Sequence, residues 1–243
     1  METMELKDKK VGDFVKENIK TAHVFKKYGI DFCCGGGVSL ERACRKENVS
    51  IDDLAADLLK LENTPSGSQN FDKWELDFLC DYIVNTHHAY VAESTPMILS
   101  YAQKVTNVHG HAHPPVIEIY RLFMDVANEL APHMKKEELV LFPYIKKLVK
   151  AKNEKAVPEK SHFGTIQNPI SMMEAEHETA GNLLKEIAKL SNNYSVPEWG
   201  CNTFKALYAK LDEFEQDLHI HVHLENNILF PKATNLERVL AAK

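Results

Sequence analysis

Two eleven-residue segments repeat one pattern and limit the folds open to this chain. "HMKKEELVLFP" begins at His133 and "HVHLENNILFP" begins at His221. Each has a glutamate four residues after the histidine, at Glu137 and Glu225, and each ends in Phe-Pro. Because an α-helix turns by about 100° per residue, residues four apart lie on one face. The repeat therefore predicts two matching helices, each with a His–Glu pair on one face.

Apolar residues at spacings of three and four extend this face and indicate that it is buried. The repeat helices have the seams Ile119, Phe123, Val126, Leu130, His133, Glu137, Val140 and Leu211, Phe214, Leu218, His221, Glu225, Ile228. Two further segments have the seams Leu76, Cys80, Ile83, His87 and Ile170, Met173, His177, Ala180, Leu184, Ile187. The sequence predicts an all-α protein whose long helices form an antiparallel four-helix bundle.

We expect this bundle to occupy residues 72–243. The predicted helices run from near Asp72 to at least Pro96, over residues 115–152, from a cap at Asn168 to Ser191, and from Pro197 to Phe230. Residues 63–70, "NTPSGSQN", are polar and rich in turn formers, so they read as a linker.

Residues 1–62 form a second, small helical domain in this interpretation. One amphipathic helix is predicted from Val11 to Tyr28, with Gly29 ending it. Ser39 caps a short second helix, and Ser50 with Asp53 predicts a capped third helix.

A seam histidine from every helix and a seam glutamate from two would meet in one buried layer. Isolated charged groups there would cost free energy, whereas hydrogen-bonded core histidines or a bound metal would offset that cost. Imidazole and carboxylate ligands without thiolate favour iron or manganese over structural zinc. Two bridging carboxylates with about five histidines best fit a non-haem di-iron centre.

Two adjacent thiols precede three glycines in "YGIDFCCGGG", residues 28–37. A disulfide between neighbouring residues is strained, so we expect Cys33 and Cys34 to be free thiols. Gly35 to Gly37 permit positive φ and expose backbone N–H groups that stabilise an anion. The pair could take up iron or exchange with a partner's cysteines; a buried turn with cysteines as small apolar residues is the alternative.

The two His-x-x-x-Glu helices, "EAEHETAG" around His177 and "DFCCGGG" together resemble the repair-of-iron-centres (RIC) family over nearly the whole chain. The resemblance implies a cytoplasmic, often dimeric protein with a hemerythrin-like di-iron bundle. Such proteins help restore iron–sulfur clusters damaged by oxidative or nitrosative stress. It also implies redox or iron-transfer chemistry at Cys33 and Cys34, and the metal ligands His87, His109, His133, Glu137, His177, His221 and Glu225, with the two glutamates bridging.

Two ligand positions have alternatives. His88 adjoins His87 and could replace it, although the seam favours His87. His109 is a ligand by resemblance only: an unbroken helix would carry it about 33 Å beyond His87, so the chain would have to fold back near Pro96 or Gly110. A surface cluster with His111 and His113 is the alternative. In the last helix, His219 and His223 are displaced from the seam by about 160°, so we expect them to face solvent or a neighbouring surface.

Three functions use such a centre. The leading interpretation is iron donation to damaged clusters, followed by reduction of nitric oxide and by sensing or carriage of O₂ or NO. A simple oxygen carrier needs no thiols, which counts against the last.

Composition removes other classes of function. The net charge is −6 with no dense Lys/Arg stripe, which argues against nucleic acid as a partner. The start "METMELKDKKVGDF" lacks a signal-peptide core, and no run approaches the roughly 18 apolar residues of a membrane span. Five scattered cysteines suit a reducing compartment. We therefore expect a cytoplasmic protein without a membrane partner.

Overall fold

The computed structural model describes residues 3–62, 70–159 and 161–242, and each named element in those ranges is a helix. The predicted all-α class is thereby confirmed. The predicted linker, residues 63–70, lies outside the described residues apart from Asn70. Within the described ranges, no helix combines the length and the apolar character needed to cross a bilayer.

The N-terminal unit consists of five short helices: α1 Thr3–Asp8, α2 Val11–Glu17, α3 Thr21–Lys27, α4 Leu40–Glu47 and α5 Ile51–Glu62. The helix predicted from Val11 to Tyr28 is thus divided in two. Asn18 is extended at the division, its side chain accepts a hydrogen bond from Lys20 N–H at 3.1 Å, and Thr21 Oγ1 donates to its carbonyl at 2.8 Å. These local bonds compete with the helical ladder and end α2.

The predicted helix boundaries in the rest of this unit are present. Ser39 Oγ accepts from Arg42 N–H at 3.4 Å at the start of α4. Ser50 Oγ accepts from Asp53 N–H at 3.3 Å at the start of α5. Gly29 has φ +68° just after α3, a backbone conformation that glycine adopts without a Cβ penalty.

Four long helical stretches follow, which we call A, B, C and D. After a 3₁₀ turn at Phe71–Lys73, A consists of α6 Leu76–Ile83, a π turn Val84–His88 and α7 Ala89–His109. B consists of α8 Pro115–Lys136, a π turn Glu137–Leu141 and α9 Phe142–Glu154. C is α10 Gln167–Leu190, and D consists of α11 Asn202–Leu224, a π turn Glu225–Leu229 and α12 Phe230–Ala241.

Some ends of these stretches differ from the predicted ends because local hydrogen bonds or a tolerated proline determine where the helix begins or ends. C begins before Asn168, whose side chain donates to the Phe163 carbonyl at 2.8 Å instead of capping the helix. D begins later than Pro197, because Gly200 N–H bonds to the Pro197 carbonyl at 2.8 Å and closes a turn. D then continues past Phe230, since Pro231 lies in the first turn of α12, where proline is tolerated.

The stretches pack as an antiparallel bundle. Helix α7 packs against α8 and α11, α8 against α10, and α9 against α6 and α12. Buried apolar residues form two clusters, one on either side of a layer of buried histidines. In A, for example, Ile83 belongs to one cluster and Val91 to the other. The polar layer therefore interrupts the core in the middle of the bundle.

The N-terminal unit shares one of these apolar clusters with the bundle. Helix α2 packs against the π turn of D. Asn227, in that turn, donates through Nδ2 to the Cys33 carbonyl at 3.0 Å. The loop with the two thiols is thereby held against the same turn that supplies Glu225.

Candidate metal centre

Three of the four stretches contain a π turn at the level of the buried histidines. A π turn inserts one residue into an α-helix and is frequent at functional sites. In B and D the turn begins at the repeat glutamates, Glu137 and Glu225, and the Phe-Pro pair follows it directly. Because proline lacks an N–H and clashes with the carbonyl four residues earlier, it disfavours a regular α-helical path through the turn. The repeated sequence therefore encodes a repeated π turn.

Six side chains meet in the polar layer, and each is at most 4% exposed: His88, His133, Glu137, His177, His221 and Glu225. They form two groups in which one ligand atom from each residue lies within 4.8 Å of the others. One group contains His88 and His221, and the other contains His133 and His177. Both groups contain Glu137 and Glu225. This arrangement offers two metal positions that share two carboxylates.

The shared carboxylates lie between the two histidine pairs. Glu137 Oε2 lies 3.3 Å from the Nε2 atoms of both His88 and His133. Glu225 presents Oε1 at 3.1 Å from His221 Nε2 and Oε2 at 3.1 Å from His177 Nε2. Each glutamate therefore reaches one histidine of each group, as a bridging ligand does.

Hydrogen bonds at Nδ1 orient three of the four histidines. His88 Nδ1 lies 2.7 Å from Glu138, His133 Nδ1 lies 2.9 Å from Glu176, and His177 Nδ1 lies 2.9 Å from Asn226 Oδ1. A proton held at Nδ1 leaves the Nε2 lone pair facing the cluster, which is the usual arrangement of a metal-bound histidine. Sequence reasoning missed these partners, although each directly follows or precedes a ligand residue.

The electrostatics of the layer fit a cation. Among the residues that the structure describes, none hydrogen-bonds to His88 Nε2, to either oxygen of Glu137 or to Glu225 Oε2, although all four atoms are buried. Burial opposes protonation of His133, yet Glu137 and Glu225 outweigh it and raise the pKa of His133 to about 9. Burial disfavours ionised Glu225, yet His221 and His177 hold its pKa well below the ordinary value. Ionised carboxylates beside imidazole nitrogens form a donor set for metal ions, and none of the described thiols belongs to it.

The structure brings His88, not His87, into this cluster. The π turn Val84–His88 adds a residue and rotates the following positions by about 100° relative to a regular helix. His87 instead stacks on His221 with ring centroids 5.5 Å apart, and its Nδ1 lies 2.9 Å from Asp217. The expectation for this position is therefore revised to His88.

The structure also places His109 away from the cluster. Helix α7 passes Pro96 without ending, so His109 lies 21 residues beyond His88, roughly 30 Å along the helix axis. There its Nε2 lies 3.3 Å from the Cys201 sulfur, and its ring contacts Trp199. The chain does not fold back as a ligand role for His109 requires.

His219 and His223 face the N-terminal unit. Phe32 contacts both rings, with centroid distances of 5.8 Å to His219 and 6.0 Å to His223. Burial lowers the pKa of His223 to about 4, so this ring is neutral. Both histidines therefore contact a neighbouring surface and take no part in the buried cluster.

The two thiols lie next to the centre rather than in it. Cys33 is buried and Cys34 is exposed, and both are free. A hydrogen bond with Cys34, burial and the Asp31 carboxylate raise the pKa of the Cys33 thiol well above its ordinary value. Asn226 Nδ2 approaches Cys34 Sγ at 4.0 Å while its Oδ1 faces His177. One amide side chain thus separates the thiol loop from a cluster histidine.

Two family models match this chain. Residues 7–62 match ScdA_N, described as a domain of unknown function. Residues 81–233 match the hemerythrin HHE cation-binding domain. The iron–sulfur cluster repair proteins YtfE of Yersinia pseudotuberculosis and Yersinia pestis are each 34% identical to this chain over 230 residues, or 95% of this chain and 98% of theirs.

Proposed function

Since the chain belongs to the family of iron–sulfur cluster repair proteins that join an ScdA_N domain to a hemerythrin HHE cation-binding domain, we propose that it supplies iron to damaged iron–sulfur clusters. The observation that carries the proposal is the pair of buried donor groups that share Glu137 and Glu225. Two ions bound there would form a carboxylate-bridged di-iron centre.

The proposed ligands divide evenly between the two ions. His88 and His221 would bind one iron and His133 and His177 the other, with Glu137 and Glu225 between them. Imidazole and carboxylate donors suit iron and manganese, and the absence of thiolate from this set counts against structural zinc. The bound centre would supply exchangeable ferrous iron, which in this proposal is cargo.

The protein's own residues prepare the site for loading and release. Glu138, Glu176 and Asn226 hold three histidines with Nε2 facing inward, so that little reorganisation accompanies metal entry. Glu138 and Glu176 are only partly buried, so these bonds extend from the centre toward the protein surface. Cys33 and Cys34 lie beside Asn226, where they would take part in iron transfer to a client protein.

We also propose where, in which oligomeric state and under which conditions the protein acts. The protein would act in the cytoplasm, as a homodimer, when oxidative or nitrosative stress damages clusters. The free state of all five cysteines supports a reducing compartment. O₂ and nitric oxide are the small molecules that such a centre would encounter there.

Iron donation can be measured directly. The iron-loaded protein is mixed with an apo ferredoxin, sulfide and a thiol reductant, and the visible absorption of the assembled cluster is followed. We expect cluster formation with a matching loss of iron from the donor, and none with metal-depleted protein. A ferrous chelator in the buffer distinguishes direct transfer, which it leaves largely intact, from release of free iron, which it abolishes. If iron stays in the protein while nitric oxide is consumed catalytically, the donor proposal fails and a reductase takes its place.

A further inference from the structure

Asp31, Cys33 and Cys34 each offer one donor atom within 4.8 Å of the other two. We propose that these three residues form a second metal site, outside the buried centre, that holds one thiophilic divalent ion such as Fe²⁺. That this site accepts iron from the buried centre rests on the function proposed above. Metal binding at the site does not rest on that function, because it depends only on the donor set.

The donor atoms of Asp31 and Cys33 already lie about as far apart as two ligands of one metal ion. Cys33 Sγ lies 3.2 Å from Asp31 Oδ1, and the Cys33 N–H donates to the same oxygen at 2.9 Å. Metal–sulfur and metal–oxygen bonds of about 2.3 and 2.1 Å place two ligands of a tetrahedral ion roughly 3.6 Å apart. An ion can therefore replace the thiol proton between these atoms with only a small movement.

The glycines explain how the loop stays this tight. A Cβ on Gly35 would lie 3.1 Å from the Asp31 carboxylate, and one on Gly36 would lie 2.4 Å from the Phe32 carbonyl oxygen. Side chains at these positions would push the loop off Asp31 and separate the donors. Only glycine allows the backbone to approach this closely, which explains why glycines follow the two cysteines.

The coordination would be incomplete, which suits transfer rather than storage. Three protein donors leave one position of a tetrahedral ion open, and Cys34 and Asp31 are exposed. A thiolate of a client protein could fill that position. Loading is a ligand exchange: two thiol protons leave to solvent, two metal–sulfur bonds and one bond to the Asp31 carboxylate form, the ion releases the water or donor ligands that these replace, and it stays divalent.

Contacts with the bundle fix the site near the buried centre. Asn227 Nδ2 donates to the Cys33 carbonyl at 3.0 Å. Its neighbour Asn226 lies between Cys34 Sγ, at 4.0 Å, and His177 Nδ1, at 2.9 Å. The π turn of D therefore presents Glu225 to the buried centre and its next two residues to the thiol loop.

Cobalt(II) provides the test, because thiolate-to-cobalt charge transfer reports only sulfur-bound metal. Full-length, iron-loaded protein is titrated with Co²⁺ while its iron content is monitored. We expect one thiolate-bound Co²⁺ per chain, with no loss of iron. Cys33→Ser and Cys34→Ser should each abolish or strongly reduce the band, and Asp31→Asn, which keeps the acceptor for the Cys33 N–H, should weaken binding by about tenfold or more.

Cys201→Ser is the matched control, since it removes the other exposed thiol and should leave the titration unchanged. Iron content and melting temperature establish that each variant is folded. Absence of the band in the parent protein, or its persistence in both single cysteine variants, overturns the proposal. Unchanged affinity in Asp31→Asn overturns the three-donor assignment. Cobalt binding without iron donation to an apo ferredoxin would instead refute the proposed function and leave the site standing.

Discussion

His88 Nδ1 lies 2.7 Å from an oxygen of Glu138, the residue that follows Glu137, whose carboxylate belongs to both buried groups. Two adjacent glutamates of stretch B thus act on one histidine of stretch A, since Glu137 Oε2 lies 3.3 Å from His88 Nε2. The hydrogen bond at Nδ1 fixes the orientation of the ring, and Nε2 then faces the Glu137 carboxylate without a hydrogen-bond partner among the described residues. This relationship also separates His88 from His87, whose Nδ1 is paired with Asp217.

The first prediction distinguishes the two neighbouring histidines. His88→Ala should lower bound iron by at least one ion per chain, because it removes a terminal ligand of one metal position. His87→Ala should keep both ions, and metal analysis of the two purified variants decides between them. Full iron in His88→Ala together with iron loss in His87→Ala would mean that stretch A presents its other face.

The second prediction concerns the outer partner of His88. Glu138→Ala should leave the ligand set intact but weaken iron affinity by about 10–100-fold, because His88 loses the acceptor that fixes its tautomer. Competition with a calibrated ferrous chelator measures this change. Glu178→Ala, which removes an exposed carboxylate close to a ligand in sequence, is the control and should leave the affinity unchanged.

A regular helical period predicts the bundle, the repeat pair and the inward direction of His133, His177 and His221. It fails at His87, because a π turn adds one residue and moves the seam to His88. In stretch B the same insertion buries Leu141 in place of Val140. The hydrogen-bond partners of the histidine Nδ1 atoms could not be predicted for another reason. In the sequence, a polar residue next to a seam residue is indistinguishable from other residues on a solvent-exposed helix face. Only the fold shows that a histidine of another helix lies next to it.

The third prediction uses the three alternating histidines of stretch D. His221→Ala should cost iron, whereas His219→Ala and His223→Ala should retain it, since those two rings contact Phe32. A metal that binds only the folded state stabilises that state by about 2.7 kcal/mol when the free metal concentration is 100 times the Kd. Loss of that term should lower the melting temperature of His221→Ala by several degrees.

His223→Ala provides a control within this series. Its ring is fully buried, so the variant should lose some stability through a cavity next to the N-terminal unit. That loss should be unchanged in metal-free protein, whereas the loss in His221→Ala, whose ring is also buried, should become smaller there because only its metal-dependent part disappears. If His223→Ala lost iron while His221→Ala stayed fully loaded, the proposal that stretch D turns His221 toward the metal centre would be refuted.

The fourth prediction separates iron storage from iron transfer. The double variant Cys33→Ser, Cys34→Ser should bind as much buried iron as the parent, because neither thiol belongs to the buried groups. It should assemble clusters on an apo ferredoxin more slowly, at equal iron loading. If the double variant donates iron at the parent rate, the cysteines serve packing alone.

The fifth prediction tests the position of His109 through the chemistry of Cys201. The His109 ring, together with the backbone N–H groups of Phe204 and Thr203, lowers the pKa of Cys201 from 9.0 to about 7. A thiolate forms as pH rises through the pKa, so alkylation of Cys201 by iodoacetamide should increase with a midpoint near pH 7. Mass spectrometry of the peptide that contains Cys201 gives this rate at each pH.

His109→Ala removes the largest cause of the lowered pKa, so the alkylation midpoint should move upward toward the ordinary thiol range. Its bound iron should stay unchanged, because α7 carries His109 to the far end of the bundle from the buried glutamates. His111→Ala, two residues further along the chain, is the matched control for both measurements. A loss of iron in His109→Ala without a shift in the Cys201 midpoint would place His109 at the metal centre and contradict the described course of stretch A.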